Sequence, residues 1–495
     1  MSSQPAANNV LLQTSQSGPT YDRSAVSVGI VHFGVGGFHR AHQAAFLDRL
    51  MNDGTALDWG ICGVGIKPAD AAMGRALIPQ DCLYTLVIKH PDGTLEPRVI
   101  GSIVEYHFAP DNPEQVLQKL TREQTRIVSL TITEGGYNFN QVTGQFIADD
   151  PDVVRDLRPG ATPSTVFGYV VEALDRRRRL GIPPFTVMSC DNIQSNGHLA
   201  RKVFTAFAAL RDPELAQWIT DNVRFPDSMV DRITPVTTDD DRELLHTRLG
   251  IADNWPVVCE PFTQWVLEDD FNLGRPPLEQ VGVQLVGDVA PYELMKLRLL
   301  NAGHQAIAYF GHLLGHQYVH EAALDPRLAT YARAYMDVEA TPTLLPVPGV
   351  DLDDYKSELL IRFANPGIRD TVARLCAETS DRIPKWVVPV IRENLATGGS
   401  IALATAIVAS WARYAEGTDE QGKPIEIVDR YAEEVTAAAR EYPNDPLAFV
   451  RMTQFFGDLA DDKRFADTYL RIAESLHTLG AARTLAQLES GTLGE

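Results

Sequence analysis

Buried strands alternate with helices along the first 286 residues of this chain, whereas the remainder has an almost wholly helical pattern. The first predicted strand, Val26 to Phe33, is followed at once by a glycine turn and by a helix from about Ala41 to Met51. Further along, Val99 to Phe108 is predicted as one strand and Phe225 to Pro235 as a loop. Strands that alternate with helices are typical of a parallel sheet covered by helices. The pattern therefore predicts an α/β N-terminal domain with a mostly parallel sheet over residues 1–286. An all-α C-terminal domain is predicted over residues 287–495.

The glycine turn after the first strand is a candidate phosphate site. Backbone N–H groups of such a turn, and the start of the following helix, can receive a pyrophosphate. The candidate cofactor-binding residues are Gly34, Gly36, Gly37, Phe38, His39 and Arg40. His39 stands where the dinucleotide motif has its third glycine, so an ordinary glycine turn remains an alternative. If the turn binds a cofactor, the N-terminal domain is a Rossmann-like domain that binds NAD.

An acid after the second predicted strand, Trp59 to Ile66, supports the same interpretation. Asp70 is placed to bind the ribose hydroxyls of NAD and to repel the 2′-phosphate of NADP. The alternative role for Asp70 is to cap the helix predicted over Ala71 to Leu77. Lys67 and Arg75 are close enough in sequence to leave some tolerance of NADP.

A long apolar helix, predicted over residues 291–316, begins the second domain and contains a polar cluster. At about 100° per residue, Glu293, Lys296, Asn301 and His304 share an arc of about 140°. Burial lowers the pKa of a lysine towards the range of a general base. An amide and an imidazole on the same face can bind a substrate oxygen and stabilise alkoxide charge. Spacing alone does not exclude a purely structural role for each of these side chains.

The composition excludes several classes of partner and site. A net charge of −21 argues against nucleic acid and anionic membrane surfaces as partners. The chain has neither an apolar run of membrane-spanning length nor a signal-peptide pattern. Its five cysteines lie far apart without a CxxC pair, which favours reduced thiols in the cytoplasm and argues against a thiolate zinc site. The sequence shows no coiled-coil heptads that would argue for an oligomer.

Lys296, Asn301 and His304 form the pattern K-x4-N-x2-H. This pattern resembles the catalytic signature of the polyol-specific long-chain dehydrogenases, the mannitol dehydrogenase family. Further blocks resemble the family in the same order, and together they cover about Gly29 to Arg430. These blocks are GVGGFHRAHQA (34–44), CGVGIKPAD (62–70), SCDNIQSNG (189–197), FPDSMVDRITP (225–235), CEPFTQWVLEDDF (259–271) and RFANPGIRDTVARL (362–375).

The resemblance implies metal-independent oxidation of a polyol such as D-mannitol to the ketose D-fructose, with NAD as cofactor. It implies that Lys296 is the general base and that Asn192 and Asn301 form an oxyanion hole. It also implies that His304 orients the substrate and that Glu293 relays protons between Lys296 and solvent.

The resemblance further implies contacts to the distal hydroxyls of the substrate. Asp231, Arg374 and the basic residue at position 382 are the implied contacts. Arg382 stands where the family has lysine, which puts that contact in doubt, and Lys385 is a nearby substitute.

Three alternatives remain open. A relative acting on a hexuronate, fructuronate or tagaturonate, would need an additional cation facing the substrate carboxylate. A metal-dependent hydrolase or lyase would use His39, His42, His304 and a carboxylate. For His39 and His42, phosphate contacts or packing is the favoured interpretation. The third alternative is an NAD-binding sensor without turnover, which the lysine, asparagine and histidine set argues against.

Overall fold

The computed structural model describes residues 18–140 and 144–493, which form two compact units that divide after Ala290. The strands of the N-terminal unit are β1 Val28–Phe33, β2 Gly60–Gly65, β3 Tyr84–Lys89, β4 Leu95–Ile100, β5 Ile103–Phe108, β6 Ile127–Leu130, β7 Thr186–Ser189, β8 Ser228–Asp231, β9 Val257–Cys259, β10 Gln264–Glu268 and β11 Gln284–Val286. Its α-helices are α1 Gly37–Ala41, α2 Gln43–Asn52, α3 Asp70–Leu77, α4 Pro113–Thr121, α5 Pro151–Asp156, α6 Val166–Leu180, α7 Asn196–Arg211, α8 Pro213–Asn222 and α9 Asp239–Leu249.

A five-stranded sheet in the order β5-β2-β1-β6-β7 forms the centre of the N-terminal unit. All four strand pairings in this sheet are parallel. From β1 the sheet extends on one side through β2 and β5 and on the other side through β6 and β7, so the strand order reverses next to β1. Ligands of doubly wound sheets bind at such a reversal point, beyond the carboxyl ends of the strands. The predicted Rossmann-like α/β architecture is confirmed.

Both faces of this sheet are buried, which explains why its strands read as continuous apolar runs. Alternate residues of β1 face opposite sides. Ile30 belongs to one core together with Leu47 and Leu50 of α2. Val31 and Phe33 belong to a second core that includes Val170 of α6.

Two sequence-based predictions about strands are wrong. The segment Val99 to Phe108, predicted as one strand, divides between β4, antiparallel to β3, and β5, which joins the central sheet. The segment Phe225 to Pro235, predicted as loop, contains β8, which is antiparallel to β10. In both cases pairing with other strands decides which residues form a strand, and the alternation of residues within the segment does not show this pairing.

Among the described residues of the C-terminal unit, the regular elements are all helices, so the predicted all-α domain is confirmed. Its α-helices are α10 Ala290–Met295, α11 Ala302–Leu313, α12 Val319–Leu324, α13 Pro326–Ala334, α14 Leu352–Phe363, α15 Val372–Cys376, α16 Thr379–Trp386, α17 Val388–Thr397, α18 Ala402–Ala415, α19 Ala432–Arg440, α20 Thr453–Phe456, α21 Lys463–Leu479 and α22 Ala481–Glu489. The first of these begins at Ala290, at the division between the units. Two π-helical segments, Lys296–Asn301 and Tyr335–Ala340, interrupt this pattern. Within the described ranges, no helix has both the length and the apolar character needed to cross a membrane.

A single apolar core holds the C-terminal helices together. Tyr309 and Phe310 of α11 and Ile407 and Trp411 of α18 are at most 1% exposed within it. Because α11 is buried on nearly all sides, its few polar side chains stand out as candidates for function.

Candidate functional site

A cavity of about 990 Å³ lies beyond the carboxyl ends of β1, β2 and β6. The turns that follow these strands line it with Gly34, Gly36, Asp70 and Thr133. This is the reversal point of the sheet, and the volume is at the upper end of the range for cofactor sites. The residues present therefore fit a dinucleotide.

The turn after β1 requires glycine at its first position. Gly34 has φ of 92°, and a Cβ built on it would lie 2.1 Å from the carbonyl oxygen of Thr131. The carbonyl oxygen of Gly34 accepts a hydrogen bond from the N–H of Gly36 at 2.7 Å. The tight turn keeps Gly36 exposed at the cavity, where a phosphate group can approach the backbone.

Asp70 lies at the same cavity and does not act as a helix cap. Its Oδ2 accepts hydrogen bonds from the N–H groups of Ile66 and Lys67, both at 2.8 Å. These donors precede α3, whereas an N-cap side chain accepts from the first turn of its helix. The contact of Asp70 with a ribose hydroxyl remains a prediction.

His39 and Arg40 are buried and do not line the cavity. The imidazole of His39 stacks on His32 with ring centroids 3.4 Å apart. Burial and the nearby cations hold the pKa of His39 well below its usual value. The guanidinium of Arg40 donates to the carbonyl oxygens of Trp255 and Gly36. For His39 and Arg40 these contacts favour packing over a phosphate contact.

Gly37 and Phe38 are half-buried at the start of α1, and neither lines the cavity. The ring of Phe38 stacks on His42 with centroids 4.8 Å apart. His42 also bonds through Nε2 to the carbonyl oxygen of Gln264 at 2.9 Å. Like those of His39, the contacts of Phe38 and His42 are those of a packed core.

Asp191 is a residue that sequence reasoning missed. It follows β7, and its Oδ1 accepts from the N–H of Thr133 at 2.7 Å. Its Oδ2 accepts from the N–H of Ile132 at 3.1 Å and from the hydroxyl of Tyr137 at 2.7 Å. Burial raises the pKa of this carboxyl. Asp191 thereby fixes the cavity-lining turn after β6, although its only sequence signal was its place at the polar end of a strand.

The other predicted site residues of the N-terminal unit lie at strand ends. Asn192 directly follows Asp191 and is exposed. Asp231 is the last residue of β8, is 5% exposed and is paired in register with Gln264 of β10. The substrate roles predicted for both residues remain predictions.

In the C-terminal unit, the polar cluster lies on a helix that changes type in its middle. The segment Lys296–Asn301 is π-helical, and the N–H of Ala302 bonds to the carbonyl oxygen of Leu297, five residues earlier. A π turn needs about 4.4 residues, so each residue advances about 82° instead of about 100°. Lys296 and Asn301 are then about 50° apart, where a continuous α-helix would separate them by about 140°.

The π segment brings the whole polar cluster onto a narrower face. Counting about 100° per residue outside the segment and about 82° inside it, Glu293, Lys296, Asn301 and His304 share an arc of about 70°. The arc of about 140° predicted for a continuous α-helix is therefore wrong. π-Helical turns inside α-helices occur frequently at functional sites.

The face formed by this cluster is buried and polar. Glu293, Lys296 and Asn301 are 6%, 7% and 6% exposed. In the described part of the chain, Nδ2 of Asn301 is buried without a hydrogen-bond acceptor. Leaving such a donor unsatisfied costs about 1–3 kcal/mol, so an acceptor on a ligand is the natural partner.

His304 is partly exposed, and its ring packs against Phe363 with centroids 4.0 Å apart. Surrounding protein atoms hold its pKa well below the usual value, and the nearby cations Arg374, Arg362 and Arg382 add to this effect. A neutral imidazole has one donor and one acceptor nitrogen, which suits a hydroxyl group.

The predicted distal contacts Arg374, Arg382 and Lys385 lie in or near α15 and α16. The guanidinium of Arg374 pairs with the carboxylate of Asp370 and its side chain is 58% exposed. Nη1 of Arg382 donates to the carbonyl oxygen of Leu375 at 2.8 Å, and Lys385 is exposed. Arg374 and Arg382 are close enough to influence His304, but their contacts with a substrate remain predictions.

The side chains that could bind a metal ion together lie in the N-terminal unit. In residues 18–140 and 144–493, one group of three side chains has donor atoms close enough to hold an ion: Cys62, Glu105 and His107. The ammonium of Lys119 already lies 2.5 Å from the carboxylate of Glu105. This group contains none of the histidines that the hydrolase alternative would use.

The chain matches family models over most of its length. The Mannitol dehydrogenase Rossmann domain matches residues 28–280, and the Mannitol dehydrogenase C-terminal domain matches residues 288–478. A mannitol 2-dehydrogenase of Phaeosphaeria nodorum is 48% identical over 473 residues, which are 95% of this chain and 83% of the relative.

Two solved structures are similar over both units. Mannitol 2-dehydrogenase of Pseudomonas fluorescens, in a ternary complex with NAD and D-mannitol, is 45% identical with a TM-score of 0.86. The match covers 97% of this chain and 98% of that one. A D-sorbitol dehydrogenase in substrate-free form is 38% identical with a TM-score of 0.88, covering 95% of this chain and 97% of that one.

Proposed function

This chain belongs to the mannitol dehydrogenase family, and on that premise we propose that it oxidises D-mannitol to D-fructose with NAD as cofactor. The similar structure that contains NAD and D-mannitol supports this substrate and cofactor. The observation that carries the proposal is the buried face on which Lys296 lies about 50° from the unsatisfied amide of Asn301.

Each side chain of that face has a separate role in moving the proton or in stabilising the reacting oxygen. In its neutral form, the amine of Lys296 takes the proton of the reacting hydroxyl while a hydride leaves the same carbon. Nδ2 of Asn301 donates a hydrogen bond to the oxygen as negative charge develops on it. Bound NAD supplies the hydride acceptor. The carboxylate of Glu293, one turn before Lys296, passes the proton from the lysine towards solvent.

The remaining predicted residues belong to the same proposal. Asn192 adds a donor to the reacting oxygen, and His304 binds a neighbouring hydroxyl. Asp231, Arg374 and either Arg382 or Lys385 contact the distal hydroxyls. A lysine and amide donors stabilise the developing charge without a bound metal ion.

NADH absorbance with purified protein, NAD and D-mannitol tests the proposal. We expect turnover that is insensitive to EDTA. Lys296→Ala should lower kcat/KM by about 10²- to 10⁴-fold, because it removes the general base. The exposed Lys423→Ala is the matched control and should retain activity.

Other outcomes would select one of the alternatives. Turnover abolished by EDTA would overturn the lysine mechanism in favour of a metal-dependent enzyme. NADH oxidation by fructuronate or tagaturonate, without activity on mannitol, would move the substrate to a hexuronate. Binding of NADH without turnover of any of these substrates would identify a sensor.

The proposal also includes a monomeric protein in the cytoplasm. The five cysteines are buried free thiols, which supports a reducing compartment. The monomer is what the resemblance to the family implies, and no coiled-coil heptad argues otherwise. Light scattering of the purified protein should give a mass near 54.5 kDa, and twice that value would contradict the monomer.

A further inference from the structure

The π-helical segment Lys296–Asn301 is anchored on the side away from its polar face. Arg298 lies two residues after Lys296, about 160° round the helix. Its side chain is 6% exposed, and its guanidinium donates to both carboxylate oxygens of Glu393, with Nη1 to Oε2 at 2.7 Å. The same Nη1 donates to the carbonyl oxygen of Thr343. A bidentate pair between a guanidinium and a carboxylate is directional, and here its arginine is buried while its glutamate is 48% exposed.

The residue after Glu393 holds the second π-helical segment. Nδ2 of Asn394 donates to the carbonyl oxygen of Glu339 at 2.9 Å, and Glu339 belongs to the segment Tyr335–Ala340. The carboxylate of Glu339 accepts from the N–H groups of Leu403 and Ala404 at the start of α18. Consecutive residues of α17 therefore tie both π segments to one helix.

An isolated helix has no reason to keep a π turn, because i→i+5 turns are rare and occur mostly as single-turn irregularities in α-helices. If the segment relaxed to α-helix, the angle between Lys296 and Asn301 would open from about 50° to about 140°. The general base and the oxyanion donor would then no longer face the same atom.

We propose that Arg298 is a positioning residue, whose ion pair with Glu393 holds the π turn that places Lys296 and Asn301 on one face. Arg298 does not touch the reacting atoms in this role, because it lies on the opposite side of the helix. The inference rests on the proposed dehydrogenase function and extends it to a residue outside the polar face.

Steady-state kinetics of mannitol oxidation with a double-mutant cycle test the inference. Arg298→Met, which keeps the apolar stem and removes the pair, should lower kcat by roughly 10- to 100-fold, the effect of a small misplacement. The NADH dissociation constant should not change, because the cavity lies in the N-terminal unit. In an Asn301→Ala background, Arg298→Met should cause a smaller further loss than in the wild type, because one of the two groups that it positions is gone.

Two further variants separate positioning from general destabilisation. Glu393→Gln removes the acceptor charge at a side chain that is 48% exposed, so it tests the pair even if Arg298→Met fails to fold. It should lower kcat with KM little changed. Arg392→Met is the matched control, since it breaks an ion pair of the preceding residue with Asp458 and should keep full activity.

Three results would overturn the inference. The first is wild-type kcat in both Arg298→Met and Glu393→Gln. The second is full additivity of the losses in activation free energy from Arg298→Met and Asn301→Ala. A wild-type protein without polyol oxidation would instead refute the proposed function, and the positioning role with it.

Discussion

Nδ2 of Asn301 is a buried donor whose acceptor is missing among the described residues. The same holds for other buried polar atoms of this protein, but Asn301 is the one that shares a face with Lys296. Its neighbour Lys296 is buried almost as completely. The buried amide costs folding free energy while it lacks an acceptor. A substrate hydroxyl bound between Lys296 and Asn301 would accept a hydrogen bond from the amide and give its proton to the lysine. The donor that lacks an acceptor is therefore one that the proposed reaction uses.

One prediction about a single residue concerns cofactor choice. Asp70→Ser should lower the preference for NAD over NADP by roughly 10- to 100-fold, because it removes a charge that repels the 2′-phosphate by about 3 kcal/mol at about 5 Å. The kcat/KM values with the two cofactors give the ratio. The exposed Asp92→Ser serves as control. An unchanged ratio with NAD activity intact would show that Asp70 serves only the turn after β2.

At the scale of single elements, the turn between β1 and α1 depends on backbone geometry that only glycine provides. Gly34 has positive φ, and a Cβ on it would lie only 2.1 Å from the carbonyl oxygen of Thr131, which leaves no room for a side chain. By contrast, Gly54 also has positive φ, but a Cβ there would meet nothing within 4 Å. The two glycines therefore separate the effect of positive φ from the effect of the close approach.

Gly34→Ala should weaken NADH binding by at least about tenfold, since shifting the turn costs more than about 1.4 kcal/mol. Titration of NADH fluorescence gives the dissociation constant. Gly54→Ala should destabilise the protein by about 1 kcal/mol and leave NADH binding intact. Equal effects of the two substitutions on NADH binding would contradict a cofactor site at this turn.

For the whole molecule, buried histidines predict how stability depends on pH. Burial lowers the pKa of His32 from 6.5 to about 3 and holds the pKa of His39 well below 6.5. The protein atoms around the partly exposed His304 also hold its pKa well below 6.5. Below pH 6.5 the unfolded chain therefore binds protons that the folded protein does not. The free energy of unfolding should fall as pH decreases from 6.5 towards 3, by up to about 1.4 kcal/mol per pH unit for each histidine.

Calorimetric Tm values between pH 7.5 and 5.0 measure this dependence. The wild-type Tm should decrease steadily below pH 6.5. His39→Gln should flatten the decrease, because it removes one of the three groups. His246→Gln, at an exposed histidine of α9, should leave the slope unchanged. A Tm independent of pH over this range would show that these imidazoles take up protons in the folded protein.

Local signals in the sequence were sufficient for the type and order of most elements. The apolar run before Gly34 and the glycine turn after it predicted β1 and its place in a parallel sheet. The long apolar pattern after residue 286 predicted the helical unit. Such signals suffice because strand and helix periodicity depend on which side chains are buried, and neighbouring residues report this.

Tertiary contacts decided the details on which function depends. The π register of Lys296–Asn301 accompanies contacts of Arg298 with residues 45 and 95 positions away, so a helical wheel placed Asn301 at the wrong angle. Asp191 supports the turn after β6 from almost 60 residues away, and His39 packs on His32 beneath the glycine turn. The order of elements and the identity of the polar residues were therefore determined by the sequence itself. Their angles, burial and hydrogen bonds were decided only in the folded protein, because these depend on atoms that sequence spacing does not bring together.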